Sequence, residues 1–377
     1  MLTENKKNNS SRIFDNLLIG TFVIGLFLPL VLTHNRKESA TEKRKLAEFP
    51  ELKWDRKTIT KFPSQFESFF NDHFGLRDQL TQLYSLYSIV LRSSSNPKVL
   101  IGLEDWLFYV NPAEGDSLED YRRNDPLTPE ELRSWKIALE SKYKLLKEKG
   151  ITYLFIVVPD KYSIYPEYMP KHIRQVGKQT RLDQLIDYMQ DSEVQVLDLR
   201  PALLAAKPQG QLFYKTDTHW NDFGAAIAHS EIIRTIQKIY PNLSPINYSF
   251  EDFVLREYKS GDIANMLNIS YFLKEMVPEL RKPLPACHKY ISEESSNDPM
   301  KVTFFTECRV DAPRVLIFRD SFFIALQPYI SQYFAKTVYV WEWPDLKLLN
   351  RHLQYNRPDI VIEARVERHL KFIPVSK

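Results

Sequence analysis

Between Thr128 and Pro159 the sequence passes directly from a helical pattern into a buried strand, and this junction restricts the fold more than any other stretch. Thr128, Pro129 and Glu131 form a capping-box start, the helical pattern runs to Lys149, and Gly150 supplies the stop. ITYLFIVVP, Ile151 to Pro159, follows at once. An apolar run this rich in β-formers reads as a strand covered on both faces. The rhythm then repeats. A helix from Thr180 to Asp191 leads to a strand from Val194 to Leu199, and Asn221 caps a long amphipathic helix reaching about Tyr240. Arg314 to Phe318, Thr337 to Trp343 and Pro358 to Glu363 read as strands, separated by helical stretches at Phe322 to Phe334 and Asp345 to Gln354. Strands alternating with helices imply a largely parallel sheet in a layered α/β fold. Residues 241–312 break the rhythm and read as an insertion that contains both cysteines, Cys287 and Cys308.

The N-terminal part is built differently. Leu17 to Leu32 is free of charge for 16 residues, and at about 1.5 Å per residue such a helix covers most of a roughly 30 Å hydrocarbon core. Two readings compete, a cleaved signal peptide and an uncleaved single-pass anchor. THNRKES follows without a small-x-small cleavage site, which favours the anchor. Lys6, Lys7 and Arg12 precede the run, whereas Arg36, Lys37, Lys43, Arg44 and Lys45 follow it, so flanking charge does not by itself export the body. Large downstream domains translocate largely regardless of that charge. Cys287 and Cys308 are either a disulfide pair of an oxidising compartment or buried free thiols. The expected organisation is an anchor at 1–33, a juxtamembrane linker at 34–60, a helical lead-in packed on the body at 61–115, and the α/β domain at 116–377. An aromatic stripe through Phe62, Phe66, Phe69, Phe70 and Phe74 marks the lead-in as helical.

Composition excludes several chemistries. With 51 Lys+Arg against 48 Asp+Glu there is no excess basic field to hold a polyanion such as nucleic acid. No two of the 10 glycines lie closer than five positions apart, which excludes the dinucleotide fingerprint and the G-x-S-x-G elbow. Gly20 and Gly25 have P-loop spacing, but Leu26 stands where lysine would. No histidine lies in H-E-x-x-H, and neither a metal nor a cofactor is expected.

In open α/β sheets, sites form beyond the carboxyl ends of the strands. Ser321 lies between VLIF and a helix, where its hydroxyl would be displayed and its backbone N–H could face an oxyanion. A helix N-cap is the competing role. Asp217 and His219 of TDTHW, two apart, can reach one site together, the carboxylate orienting the imidazole. Trp220 could stack on a sugar or pack in the core. Lys161, Tyr165 and Arg319 are candidate contacts to an acidic sugar, and Asn265 of GDIAN is a candidate second oxyanion donor beside the Ser321 backbone.

TDTHWNDFGAAIA and VLIFRDSFFIALQPYIS, with EKRKLAEFPEL, FFNDHFGLRDQL, DWLFY and PDKYSIYPEYMP, resemble the SGNH-hydrolase-like O-acetyltransferases of bacterial exopolysaccharide acetylation. The likeness runs from about residue 40 to the C-terminus and is closest to the membrane-anchored J type of the alginate J and X components. It implies a circularly permuted SGNH-like fold, because the Asp-His pair precedes the serine, and a triad of Asp217, His219 and Ser321. It also implies transfer of acetyl groups through a serine acyl-enzyme onto an alginate-like exported polysaccharide. A multi-span membrane acyltransferase of the MBOAT type would supply the acetyl group, other acetylation subunits would assist, and the domain would lie in the periplasm on an inner-membrane anchor. An exported carbohydrate esterase and a non-catalytic glycan-binding or assembly subunit are the alternatives. Arg319 stands where the wider superfamily has glycine, which restricts close backbone approach there.

Overall fold

The computed structural model describes residues 2–33, 37–39, 44–51, 54–259, 261–291, 301–309 and 311–374. Parts of the expected linker (34–36, 40–43, 52–53) and of the expected insertion (260, 292–300, 310) lie outside the described residues. The chain divides into two compact units, one of residues 1–95 with 265–269, the other of residues 96–264 with 270–377. The division falls at Ser95 and Asn96, earlier than position 115, because the hairpin Val99–Ile101 with Leu107–Tyr109 belongs to the second unit.

In the first unit a helix spans Leu2–Val31. The expected transmembrane helix is unsupported: among the described residues no helix is long and apolar enough to cross a membrane. The helix begins with Glu4, Lys6, Lys7, Arg12 and Asp15, so only its second half is apolar. Asp55 caps the next helix, Arg56–His73, by accepting from Thr58 N at 2.9 Å. Leu76, with φ 66°, separates it from helix Arg77–Val90. The aromatic stripe is real, with Phe62, Phe66, Phe70 and Phe74 contacting in succession along helix Arg56–His73 and its C-terminal cap.

The second unit is built on a seven-stranded sheet. Its strands are β1 (Thr152–Val158), β2 (Val196–Asp198), β3 (His288–Ile291), β4 (Phe304–Glu307), β5 (Arg314–Phe318), β6 (Lys336–Val340) and β7 (Ile360–Val366). They lie in the order β2-β1-β7-β5-β6-β4-β3. The five strands from β2 to β6 run parallel, and β4 and β3 add an antiparallel edge. The largely parallel α/β sheet is therefore present, and strands of the expected insertion extend it.

Both faces of β1 are covered. Leu154, Ile156 and Val158 pack with the helix Asp222–Gln237, while Tyr153, Phe155 and Val157 pack with Trp135 and Leu139 of helix Pro129–Glu148. This two-residue alternation between apolar layers explains why the strand reads as an unbroken hydrophobic run. The Thr128 capping box forms as the sequence implies, and Gly150 takes the left-handed φ of +69° that follows a helix end. The helical stretch after Ser321 is shorter and broken, into a tight turn Ser321–Ile324 and helix Gln327–Ser331.

Charge is also buried in this core. Glu363 on β7 accepts from Lys142 Nζ, from Tyr153 Oη at 2.8 Å and from Arg365 Nη2 at 2.8 Å. Burial would raise the Glu363 pKa, but Lys142 and Arg365 outweigh it and hold the carboxyl below its ordinary range. Glu363 and Arg365, both within the last strand, thus form a core ion cluster with Lys142. At the sheet edge Cys287 and Cys308 are disulfide-bonded. They flank β3 and β4 where His288 pairs with Glu307, so the bond closes the open end of that edge hairpin.

Candidate active site

Ser321 is positioned by backbone at the carboxyl end of β5. Arg319 N donates to Val340 O at 2.9 Å, which holds the chain against β6 for one further residue. Asp320 then acts as a cap: its Oδ1 accepts from Phe322 N at 3.0 Å and its Oδ2 from Val366 N at 2.7 Å. One carboxylate therefore starts the turn and pins it to β7. Ser321 serves as the first residue of that turn and not as its cap.

His219 arrives from a loop folded back on itself. Phe213 bridges Trp220 in antiparallel fashion, and Tyr214 N donates to His219 O at 3.2 Å. Asn221 ends the loop, its Oδ1 accepting from Gly224 N at 3.1 Å and its Nδ2 donating to Gln211 O at 2.7 Å. Gly261 is required by close approach, since a Cβ there would lie 2.2 Å from Thr216 O.

These elements bring the three predicted residues together. His219 Nε2 lies 2.8 Å from Ser321 Oγ, and His219 Nδ1 lies 2.7 Å from Asp217 Oδ1. An ionised carboxylate can only accept, so Nδ1 carries the ring proton and Nε2 is left to accept from the serine hydroxyl. Asp217 Oδ1 also accepts from His219 N at 3.0 Å, and Oδ2 from Asp262 N at 2.9 Å and Tyr258 Oη at 3.2 Å. Burial alone would raise the Asp217 pKa, but the bond to His219 and these N–H donors outweigh it, and the carboxyl is held well below its usual range. For His219 the burial that disfavours its charge is outweighed by the Asp217 carboxylate, so its pKa is raised.

Two further carboxylates hold the loop. Asp262 Oδ1 accepts from Thr218 N at 2.6 Å, and its other oxygen lies 3.8 Å from His219 Nδ1. Burial and the Asp217 charge raise the Asp262 pKa. Glu275 accepts from Thr216 N at 2.9 Å, Thr216 Oγ1 at 2.7 Å and Lys215 N at 2.7 Å. Tyr258, Asp262 and Glu275 escape sequence reasoning because they lie in the stretch read as an insertion. GDIAN was a usable signal, but Asp262 and not Asn265 is the residue of that string bonded to Asp217. Asn265 lies in helix Asp262–Met266, where its carbonyl accepts from Asn268 N. Asp217, His219 and Asp262 also put three ligand-type atoms within 4.8 Å of one another, although the Asp217 and His219 atoms are already bonded to each other.

The expected sugar contacts are corrected by burial. Trp220 is 1% exposed and its Nε1–H donates to Phe322 O at 3.0 Å, so its ring packs in the core. Lys161 is 4% exposed and its Nζ donates to Leu107 O at 2.7 Å and Lys215 O at 3.2 Å. Burial lowers the Lys161 pKa to about 8. Tyr165 is buried against Trp106 and its hydroxyl accepts from Leu212 N at 2.9 Å. Arg319 is buried over the Trp341 ring, 4.7 Å from its centroid. These four residues brace the site from within.

Residues 99–306 match the family described as SGNH hydrolase-like domain, acetyltransferase AlgX. The chain belongs to this family. The matched stretch contains Asp217 and His219 and ends before Ser321. Among curated relatives, the chain is 25% identical over 230 residues to a probable alginate O-acetylase AlgJ of Pseudomonas syringae pv. tomato, covering 58% of this chain and 54% of the relative. It is 23% identical over 226 residues to its namesake in Pseudomonas aeruginosa, covering 58% of this chain and 53% of the relative. The chain thus spans about half the length of the curated relatives it matches. Among solved structures it is similar to Bacillus cereus PatB1, with a TM-score of 0.49, 16% identity, and 72% and 96% of the two chains covered. It is also similar to the O-acetyltransferase domain of Pseudomonas putida AlgJ, with a TM-score of 0.44, 19% identity, and 74% and 94% covered.

Proposed function

We propose that the protein is an O-acetyltransferase that carries an acetyl group on Ser321 and passes it to hydroxyls of an exported, alginate-like polysaccharide. The observation that carries this reading is the chain of contacts from Ser321 Oγ through the His219 ring to Asp217, at 2.8 and 2.7 Å. Membership of the acetyltransferase family and the relatives named as probable alginate O-acetylases support the reaction type and the acceptor.

In the first half-reaction His219 Nε2 takes the Ser321 proton as Oγ attacks the acetyl carbonyl, and the imidazolium that forms is stabilised by Asp217. The Ser321 backbone N–H faces the developing oxyanion. The tetrahedral intermediate then expels the donor's leaving group, which takes the proton from His219. In the second half-reaction His219 removes a proton from a sugar hydroxyl, that oxygen attacks the acetyl-serine, and Ser321 leaves with the proton returned.

The disulfide between Cys287 and Cys308 supports an oxidising compartment, and we place the body in the periplasm. Attachment to the inner membrane through residues 1–33 rests on the apolar run Leu17 to Leu32. An exported domain has no access to cytoplasmic acetyl-CoA, so a multi-span membrane acyltransferase of the MBOAT type is the proposed donor, with other acetylation subunits alongside.

Partitioning of label from an activated acetyl ester tests the reaction. Added acetyl-free polysaccharide should divert acetyl from free acetate to polymer. Undiminished acetate with no labelled polymer would make the protein an esterase.

A further inference from the structure

Beyond the carboxyl ends of β1 and β2 lies a cavity of about 1110 Å³ that the triad does not use. Buried Tyr121 and Tyr162 help to line it, with ring centroids 5.7 Å apart. Its wall is tied down by backbone bonds, Val176 N donating to Arg122 O at 2.8 Å and Ile173 N to Pro170 O at 2.9 Å.

The charges around this cavity do not cancel. The lining carboxylates are paired, Glu167 with Lys207 at 2.6 Å, and Asp183 and Asp198 both with the single Arg200 at 2.8 and 2.9 Å, which leaves one negative charge over. Arg123, Lys171 and Arg174 also line it, and among the described residues no ion pair joins any of them to a carboxylate. Arg123 is fixed by donating from Nη1 to Lys178 O at 2.9 Å, and with its Nε buried this leaves Nη2 for a carboxylate. Glu367, bonded to Ser163 of the wall, adds little opposing charge, because burial raises its pKa to about 8.

We infer that this cavity is a subsite for an anionic polysaccharide, holding uronate-type carboxylates with Arg123, Lys171 and Arg174 while another part of the same polymer reaches Ser321. Its volume exceeds the range of roughly 300–1,000 Å³ typical of small-molecule sites, as a segment of several sugar rings requires. Strand order sets the geometry. From β2 to β5 there are three steps, β2-β1-β7-β5, so at about 4.8 Å per step those strands lie roughly 14 Å apart, and the cavity and Ser321 both lie beyond carboxyl ends of this one parallel set. A polymer lying across those strand ends would be held by charge at one end and acetylated at the other. The inference rests on the polysaccharide acetylation proposed above, but its test reads binding alone.

The experiment measures binding of a polyuronate oligosaccharide, and of a neutral glucan oligosaccharide of equal length, to the full chain carrying Ser321→Ala. The polyuronate should bind, weaken as salt is raised, and outcompete the neutral chain. Arg123→Gln with Lys171→Gln and Arg174→Gln should weaken polyuronate binding at least about tenfold. Because Arg123 also braces a turn, the exposed pair Lys171→Glu with Arg174→Glu is measured beside it and should weaken binding in the same direction at an unchanged melting temperature. Equal affinity for the two oligosaccharides, or polyuronate binding unaltered in that pair, would overturn the subsite. Labelling of Ser321 in the unmutated chain is read separately, so a failed serine chemistry and a failed subsite give different results.

Discussion

Trp220 Nε1–H donates to the carbonyl of Phe322 at 3.0 Å, which ties the loop that presents His219 to the turn that presents Ser321. The two segments lie 102 residues apart in the chain, yet their reactive atoms must register within tenths of an ångström. Trp220→Phe keeps the apolar ring and removes the donor. It should cost about 1–3 kcal/mol of stability through the stranded carbonyl. Acylation of Ser321 should slow at least about tenfold through misplacement of the two groups. Thermal melting and single-turnover acylation check the two effects.

The raised pKa of His219 sets the pH dependence. The ring must be neutral to accept the serine proton, so acylation should rise with pH through an apparent pKa above the ordinary histidine value of about 6.5. Asp217→Asn removes the stabilising charge. The midpoint should therefore move down while the rate falls by about 10³- to 10⁴-fold, because the ring loses its enforced tautomer. Rates of acylation measured across pH 5–9 distinguish the two proteins.

Asp262 gives a milder version of the same experiment. Its carboxylate accepts from Thr218 and lies 3.8 Å from His219 Nδ1, but it does not touch the serine. Asp262→Asn should lower the acidic midpoint of the pH profile with a rate loss of less than about a hundredfold at high pH, as befits a residue acting through His219. A profile that keeps its midpoint would show that Asp262 only braces the loop.

In the core, Lys142→Met leaves Glu363 with less compensation in a fully buried place. It should destabilise the fold by about 3–5 kcal/mol, whereas pairing it with Glu363→Gln should recover part of that loss. The Glu363 carboxyl is held below its unfolded value, so its contribution is present above the unfolded pKa and is lost as pH falls through the folded one. Denaturant melts of the three proteins at neutral and acid pH measure both effects.

The parallel sheet was legible because β1 and β5 are covered on both faces and so are written as apolar runs, TYLFIVV and VLIF, while in β7 the apolar run is interrupted by Glu363 and Arg365. The meeting of Asp217, His219 and Ser321 was legible because each stands at a junction, Ser321 after a strand and Asp217 with His219 before a capped helix. The antiparallel edge was hidden, since His288–Ile291 is exposed along its length and carries no buried pattern. Tyr258, Asp262 and Glu275 were hidden for another reason: they act on Asp217 and its loop through hydrogen bonds between distant segments, which leave no periodicity in the chain. Lys161, Tyr165 and Arg319 read from the sequence as contacts at the surface of the site, and Trp220 as either a sugar platform or core, because residue type alone does not distinguish an anchored polar tip from an exposed one.

The central claim concerns one oxygen atom. The most direct measurement is intact-protein and peptide mass spectrometry after brief exposure of the full chain to an activated acetyl ester, with Ser321→Ala treated in parallel. The account predicts one added acetyl group, located on Ser321, absent from Ser321→Ala and lost when acceptor polysaccharide is supplied. An acetyl adduct that persists at equal yield in Ser321→Ala would contradict it.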